Sequence, residues 1–518
     1  MTKIFGFSIL AILFFIIGSS NHDMWDGAIT SYGFEISDIS GSKQALIDHG
    51  WYLQYFLHLI LFKLSDSLHL TFFQLSTFVS LILTMFMSRE VLLLSKNIFL
   101  LEDYFAKLSF CLFILFPVWQ IFFSSIHIIF ILCILLGFVG SRYIHTEEHI
   151  ILRSIGLVFI ILSFQLSSML VFIPVLSYAY QLNKKNINIS FFPSIMPFSL
   201  FALSCSFYVV TKVIFPPIGE INQTYNQLIN PFASKENFFL VFNSFKSYSS
   251  FLILLLPSLF LLAINISTSN SYLKFFCKRI QDNFTVFFSL IALLIASVFS
   301  YAMVGKASML TIEYVMQWGM RHSILLAPVV AIFMAWFFQM ILMSSPKSFK
   351  DRFSISLTIL LSITFLFIGT ASKLNRHNFE AQFVDALKAK NINPGNVYLV
   401  LDSASEYPIP TMRSYELNYL FYRTYGNIKY DVYFVREGNK ALKNKGFMKE
   451  EIDRLALAQS YSKAVWLKEL YDPSNTKCKS IILMEVKDFA GLSNVVNNTL
   501  GFNNGKINLA LDSTKCVN

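Results

Sequence analysis

Six carboxylates and three histidines are concentrated in the segment between Asn21 and Asp66. They are Asp23, Asp26, Glu35, Asp38, Asp48, Asp66, His22, His49 and His58. Asp23 and Asp26 follow the apolar run 4–18 within about eight residues and flank Trp25, a residue type enriched at membrane interfaces. A carboxylate held at that height would contact a lipid head group. The alternative is that the whole segment is a solvated acidic loop.

A second pattern with ligand chemistry is HTEEH at 145–149, which matches the HxxEH zinc motif. We reject a zinc site because the short segment between Arg142 and Arg153 leaves no room for a third ligand and an open coordination position. The chain also lacks GxxxxGK[ST], GxGxxG after a strand, GxSxG and CxxC. These absences argue against the common soluble enzymes.

The composition indicates which elements must position the acidic segment. Apolar residues make up 55% of the 518 residues and charged residues only 14%, whereas soluble domains carry about 25% charged residues. Because a spanning helix needs roughly 20 mostly apolar residues, we predict about eleven transmembrane helices. The corresponding runs are 4–18, 70–87, 104–123, 126–140, two short spans within 154–182, 191–214, 248–265, 285–304, 322–343 and 353–371. The run 154–182 is divided because Gln165, Ser167 and Ser168 interrupt it.

One further apolar stretch, 50–64, carries Gln54, His58 and Lys63. Its length and polar residues favour a helix lying in the membrane interface, where it would cover a cavity that opens toward the membrane. The alternative is a short true span, which would reverse the sidedness of every later segment.

The distribution of basic residues predicts a cytoplasmic N-terminus, because cytoplasmic loops carry an excess of Lys and Arg. The cytoplasmic segments would hold fourteen, namely Lys3, Arg89, Lys96, Lys107, Arg142, Arg153, Lys184, Lys185, Lys274, Lys278, Arg279, Lys347, Lys350 and Arg352. The outer segments would hold six, namely Lys43, Lys63, Lys235, Lys246, Lys306 and Arg321. The net charge of +10 therefore reflects topology, and nucleic-acid binding is not implied.

An odd number of spans places residues 372–518 outside, as an extracytoplasmic domain of about 145 residues. Its alternating patterns predict helices at 378–390, 416–426, 450–459 and 488–501, and strands at 396–401, 429–435, 480–486 and 507–513. This order indicates a layered α/β domain. Cys478 and Cys516 are the two cysteines on the outer side, so we predict a disulfide between them, two free thiols being the alternative.

This layout resembles the GT-C superfamily of polytopic glycosyltransferases. The likeness rests on one apolar N-terminal span, an outer loop (19–69) that begins HDMWDG, an interfacial helix, many short spans in hairpins and a C-terminal soluble domain. Residues 1–371 would form the transmembrane domain. The resemblance implies an integral protein of the bacterial inner membrane that transfers a sugar from a polyprenyl-phosphate donor to a glycan, lipid or protein acceptor.

The resemblance also assigns roles to residues. An acid of the first outer loop serves that superfamily as catalytic base, which points to Asp26 or Asp23; Gly27 favours Asp26 by allowing close approach of a substrate. His22 and Trp25 would contact substrate beside them. Many relatives carry a second acid in the next outer loop, where this chain has His127 in SSIH, so a two-acid or metal-bridged mechanism is not supported. No cofactor is required; a divalent metal is the open alternative, for which the sequence gives no support.

The same superfamily places basic residues at the outer end of a late span to bind the donor's phosphate. Here Arg321 and His322 stand at the start of the run 322–343, with Lys306 upstream in the same loop. The planar guanidinium suits phosphate through paired charge-assisted hydrogen bonds. The alternative is an arginine that reaches lipid head groups.

Two other functions stay open. A polysaccharide polymerase or ligase has a similar number of spans but concentrates its function in a large central outer loop, whereas 215–247 is short. A lipid-linked sugar flippase or transporter would be expected to carry ionisable residues within its spans.

Overall fold

The computed structural model describes a largely helical protein with a small sheet near its C-terminus. The described residues are 46–47, 51–119, 124–183, 195–214, 228–269, 271–308, 310, 318–343, 349–401, 414–426, 430–436, 478–489, 492–499 and 505–516. The predicted first span, 4–18, and the predicted helix 450–459 lie outside them.

Thirteen α-helices precede the sheet within the described residues. They are α1 Tyr52–Leu68, α2 Phe72–Asn97, α3 Asp103–Ile114, α4 Ile128–Thr146, α5 Ile150–Ser163, α6 Met169–Asn183, α7 Ile195–Val209, α8 Lys235–Tyr248, α9 Leu256–Thr268, α10 Tyr272–Asp282, α11 Phe284–Ala302, α12 Leu326–Leu342 and α13 Phe349–Lys388. Five helical stretches are long and apolar enough to cross a membrane, namely Phe72–Asn97, Ser125–Thr146, Lys235–Thr268, Phe284–Ala302 and Arg352–Lys388. Helices α5, α6, α7 and α12 are shorter but apolar. The chain is thus a membrane-embedded protein, and the number eleven stays a prediction.

Helix α1 is the stretch predicted to lie in the interface. It exposes an apolar stripe at i, i+4 spacing, formed by Tyr52, Phe56, Ile60 and Leu64. Its buried side carries Gln54, Tyr55, His58, Leu61 and Ser65. The helix ends at His69, whose left-handed backbone (φ 55°) turns the chain into α2. An apolar outer stripe over a polar inner side is the arrangement expected of a helix that covers a polar space inside lipid.

Helices α4 and α5 form a tightly packed hairpin. A Cβ atom at Gly140 would approach the carbonyl oxygen of Gly156 to 2.6 Å, and one at Gly156 would approach that of Gly140 to 2.9 Å. Small residues at such contacts let helix backbones approach closely within membranes. The hairpin brings the start of α4, next to His127, beside the end of α5, next to Gln165. The predicted break at 165–168 is confirmed, because α5 ends at Ser163 and α6 begins at Met169.

The predicted boundary between span 353–371 and a separate helix 378–390 is wrong. Both belong to α13, a single helix of 40 residues with no proline in it. Its first part packs in the membrane bundle, and its last turns pack on the sheet through Phe379, Phe383 and Leu387. Near the middle, the Lys373 ammonium lies 5.4 Å from the centre of the Phe73 ring at the start of α2. The sheet is therefore attached to the bundle by a continuous helix.

The C-terminal sheet has four strands in the order β2-β1-β3-β4. They are β1 Gly395–Leu401, β2 Tyr430–Arg436, β3 Cys478–Lys487 and β4 Lys506–Cys516, with α14 Ser414–Tyr425 after β1 and α15 Leu492–Thr499 after β3. Strand β1 pairs in parallel with β2 and β3, and β4 is antiparallel to β3. The four predicted strands and the helices after β1 and β3 are confirmed, because short apolar runs bounded by polar segments marked each of them.

The register of β3 and β4 bears on the predicted disulfide. Cys478 is the Cα partner of Cys516 across this antiparallel pair. Directly opposite residues of antiparallel strands have Cα atoms about 4.5 to 5.5 Å apart, within the range that a disulfide requires. Their side chains are not among those described, so the bond itself stays a prediction.

We expect non-reduced peptides of the membrane-inserted protein to contain a Cys478–Cys516 crosslink. Closing this loop should stabilise the folded state by about 3 to 4 kcal/mol in the chain-entropy model. Mass spectrometry after alkylation without reductant tests the bond. Cys277, an exposed cysteine of α10 on the predicted cytoplasmic side, should be alkylated and serves as the control. Alkylation of Cys478 and Cys516 as well would contradict both the disulfide and the outer placement of this region.

Candidate functional site

A cavity of about 110 Å³ with both polar and apolar walls lies where the ends of several helices meet. It is lined by Trp51 and Gln54 of the α1 region, Ile126 and His127 before α4, Ile129 and Phe130 of α4, Gln165, Leu166 and Ser167 after α5, Tyr301 and Lys306 around the end of α11, and Arg321 and His322 before α12. The predicted phosphate-binding residues Lys306, Arg321 and His322 therefore share one cavity.

The end of helix α11 explains the position of Lys306. The Gly305 N–H donates to the Ala302 carbonyl oxygen and the Lys306 N–H donates to that of Tyr301, both at 2.9 Å. Gly305 has a φ of 68°, so this helix ends in a Schellman motif that requires a left-handed residue. The motif turns the chain back at once and keeps Lys306 beside Tyr301 on the cavity wall.

The second cationic segment is a 3-10 helix, Trp318–Ser323, directly before α12. The Ser323 hydroxyl donates to the Ser308 hydroxyl oxygen at 2.6 Å, and the backbone N–H of Ser308 donates to Ser247 Oγ at 3.1 Å. These bonds tie the 3-10 helix to the segment after Lys306 and to α8. Hydrogen bonds therefore hold the segment that carries Lys306 and the segment that carries Arg321 together.

Arg321 and His322 interact directly. Arg321 Nε donates to His322 Nε2 at 3.2 Å, and the centres of the Tyr301 and His322 rings are 4.8 Å apart. Because Nε2 accepts this hydrogen bond, it carries no proton, and His322 acts as a neutral imidazole that orients the guanidinium.

Burial decides between two interpretations of Arg321. Its exposed fraction is 8%, and His322 is 6% exposed. A side chain that extends along the protein surface to lipid head groups would expose its guanidinium. Arg321 instead is buried in the wall of the cavity, beside Lys306 and Tyr301.

The acidic residues predicted to act in catalysis are not among the residues that the structure describes. Asp23, Asp26, Trp25 and His22 lie outside the described residues, as do Glu35 and Asp38. Trp51 and Gln54, which belong to the C-terminal part of the same segment (21–66), line the cavity. The cavity brings Gln54 and Lys306 together, although more than 250 positions separate them along the sequence.

His127 and two glutamines complete the polar lining. His127 is buried in the cavity wall. Sequence reasoning did not assign Gln54, Gln165 or Tyr301 to a site. The sequence does indicate that the two glutamines face inward, because each lies inside an apolar run. A polar side chain in such a run of a membrane protein usually faces the interior or a water-filled cavity.

The HTEEH segment is used in packing. His145 belongs to the last turn of α4, where its Nε2 is 2.7 Å from the Ser177 hydroxyl and its ring stacks on Tyr180. Among the described residues no group of three His, Cys, Asp or Glu side chains is placed to hold a metal ion.

The helices and the cavity define a class, a membrane-embedded helical protein with a cationic cavity at one end of its bundle. A comparison with known protein families, with curated proteins and with solved structures finds no match for this chain.

Proposed function

We propose that this chain is an integral-membrane glycosyltransferase of the GT-C type. It would move a sugar from a polyprenyl-phosphate donor to a glycan, lipid or protein acceptor on the outer face of a bacterial inner membrane. The N-terminus would be cytoplasmic and residues 372–518 would lie outside. One observation carries the proposal: Lys306 and Arg321 line one cavity together with Trp51 and Gln54, which belong to the segment 21–66 that carries the acidic residues.

The cationic side of the cavity suits the leaving group. As an acceptor oxygen bonds to the anomeric carbon, the bond from that carbon to the phosphate oxygen breaks, and polyprenyl phosphate leaves with additional negative charge. Cations that are already in place stabilise charge that develops in the transition state. Arg321 supplies a planar set of donors and Lys306 a point charge, while neutral His322 holds the guanidinium in position.

The remaining step is removal of the acceptor's proton. Asp26 would take it from the attacking hydroxyl, with Asp23 as the alternative base. Because attack and departure occur on opposite sides of the anomeric carbon, the reaction inverts its configuration. The proposal requires no nucleotide, metal or cofactor on the outer side.

We expect Arg321→Ala to lower kcat/KM for the polyprenyl-phosphate sugar about 10- to 150-fold. This range corresponds to about 1.5 to 3 kcal/mol for a hydrogen bond to a charged group. Arg321→Lys should recover only part of the loss, because an ammonium cannot form the paired bonds. The measurement is transfer of labelled sugar by purified protein in detergent.

Arg352→Ala is the matched control for this experiment. Arg352 is an exposed arginine in the first turn of α13, away from the cavity, and its loss should leave kcat/KM within about twofold. Thermal unfolding of each variant separates a folding defect from a binding defect. Unchanged donor dependence in a folded Arg321→Ala variant would remove the phosphate role.

A further inference from the structure

Two glutamine side chains in the cavity carry buried polar atoms that lack a hydrogen-bond partner within the described part of the chain. Gln54, on the buried side of α1, is 3% exposed, and its Nε2 has no partner there. Gln165, in the turn between α5 and α6, has a buried Oε1 that also lacks a hydrogen-bond partner there. Both side chains line the cavity that holds Lys306 and Arg321. They come from separate parts of the chain.

Such atoms point to a ligand, because buried polar groups in proteins are nearly always hydrogen-bonded to protein, water or ligand. Gln54 Nε2 is a donor that needs an acceptor, and Gln165 Oε1 is an acceptor that needs a donor. A phosphate ester at neutral pH offers mainly acceptors and cannot serve Gln165 Oε1. A hydroxyl group both donates and accepts, so a ligand rich in hydroxyls satisfies both amides. If both amides are rotated by 180°, the two atoms exchange roles, and the pair still presents one donor and one acceptor.

We propose that Gln54 and Gln165 form a sugar subsite beside the phosphate subsite of Lys306 and Arg321. Hydroxyl groups of the transferred sugar donate to and accept from the two amides, while the phosphate of the same donor binds the cations. The two glutamines are thus specificity-determining residues for the sugar. This inference rests on the proposed glycosyltransferase function and names residues that read the donor's sugar.

The experiment compares two kinds of ligand on the purified full-length protein in detergent. One is bare polyprenyl phosphate, and the other is polyprenyl phosphate carrying glucose, galactose, mannose or arabinose, each tested separately. The variants are Gln54→Met and Gln165→Met, which keep the length of the side chain and remove its amide. We expect each variant to weaken binding of the sugar-bearing ligand that wild type prefers by about 3- to 10-fold, the range of one or two neutral hydrogen bonds. Binding of bare polyprenyl phosphate should stay within twofold.

The melting temperature of the glutamine variants is a second measurement. It would fall if the two side chains had a structural role. Because these amide atoms have no partner in the described protein, their replacement by an apolar side chain should leave the melting temperature unchanged or raise it. Gln281→Met, a change at an exposed glutamine of α10, is the matched control and should alter neither affinity nor melting temperature.

The outcomes separate the two proposals. If Arg321→Ala weakens binding of every ligand but the glutamine variants bind all of them as wild type does, the sugar subsite is wrong and only ordered water occupies it. An equal loss of bare and sugar-bearing ligands in the glutamine variants, or a clear fall in their melting temperature, also contradicts the subsite. If Arg321→Ala binds bare polyprenyl phosphate as tightly as wild type does, the proposed function itself fails.

Discussion

Asp26→Asn is expected to lower sugar transfer about 10²- to 10⁴-fold without changing the amount of protein in the membrane. The substitution keeps the shape of the side chain and removes its ability to accept a proton, which is the contribution of a general base. Asp26 lies outside the described residues, and its role comes from the resemblance to GT-C enzymes. Trp51 and Gln54, which belong to the same predicted outer loop (19–69), line the cavity.

Other acids on the same side provide the controls for this experiment. Asp23→Asn should have a milder effect if Asp23 orients the loop, and the reverse ranking would transfer the base to Asp23. Glu35, Asp38 and Asp48 should tolerate the amide change because we assign them to the solvated part of the segment. Asp66→Asn, at an exposed acid near the end of α1, should have no effect. Full transfer activity in the Asp23→Asn/Asp26→Asn double variant would rule out the mechanism.

The C-terminal region shows which parts of the fold the sequence predicts well. Its strands are short apolar runs between polar segments, and each run that we assigned to a strand forms one. The prediction was wrong about the length of α13. Hydropathy falls after residue 371, where Lys373, Asn375 and Arg376 lie, and the predicted span therefore ended there. A hydropathy pattern cannot distinguish a helix that leaves the membrane from one that ends there, since both become polar at the same place. Here those polar residues are buried by the sheet and by α2.

The basic residues of the site could also be predicted from the sequence. Arg321, His322 and Lys306 could be grouped because they share one segment between two apolar runs. Their meeting with Gln54 and Gln165 depends on how the bundle packs, including the glycine contact of α4 with α5, and a single sequence does not contain that information. A polar residue in an apolar run therefore predicts that the residue faces inward, but not which residues it meets.

Arg376 marks the place where α13 passes from the bundle to the sheet. Its side chain is fully buried, with Nε donating to Glu380 at 2.7 Å and Nη2 donating to Glu416 at 3.0 Å. Glu380 is one turn along the same helix, whereas Glu416 belongs to the first turn of α14. A nearby network is formed by Asn375, whose Nδ2 donates to the Phe489 carbonyl oxygen at 2.9 Å and whose Oδ1 accepts from Asn498 at 2.8 Å. These contacts fasten the sheet to the end of the long helix.

We expect Arg376→Met to lower the free energy of unfolding of the C-terminal region by about 3 to 5 kcal/mol, because it leaves two buried carboxylates without their cation. The measurement is denaturant unfolding of the purified protein, followed by limited proteolysis of the region after residue 388. As a matched control, Lys388→Met removes an exposed ion pair with Asp385 on the same helix and should cost no more than about 1 kcal/mol.

The decisive variant replaces all three members of the buried group, Arg376→Met with Glu380→Leu and Glu416→Met. Because the cost of the single change arises from uncompensated buried charge, the triple variant should regain most of the lost stability, as apolar side chains of similar volume do in place of buried ion pairs. A single variant as stable as wild type would show that the guanidinium is not enclosed between the two carboxylates. A triple variant less stable than the single one would show that the group contributes through its hydrogen-bond geometry and not through charge balance.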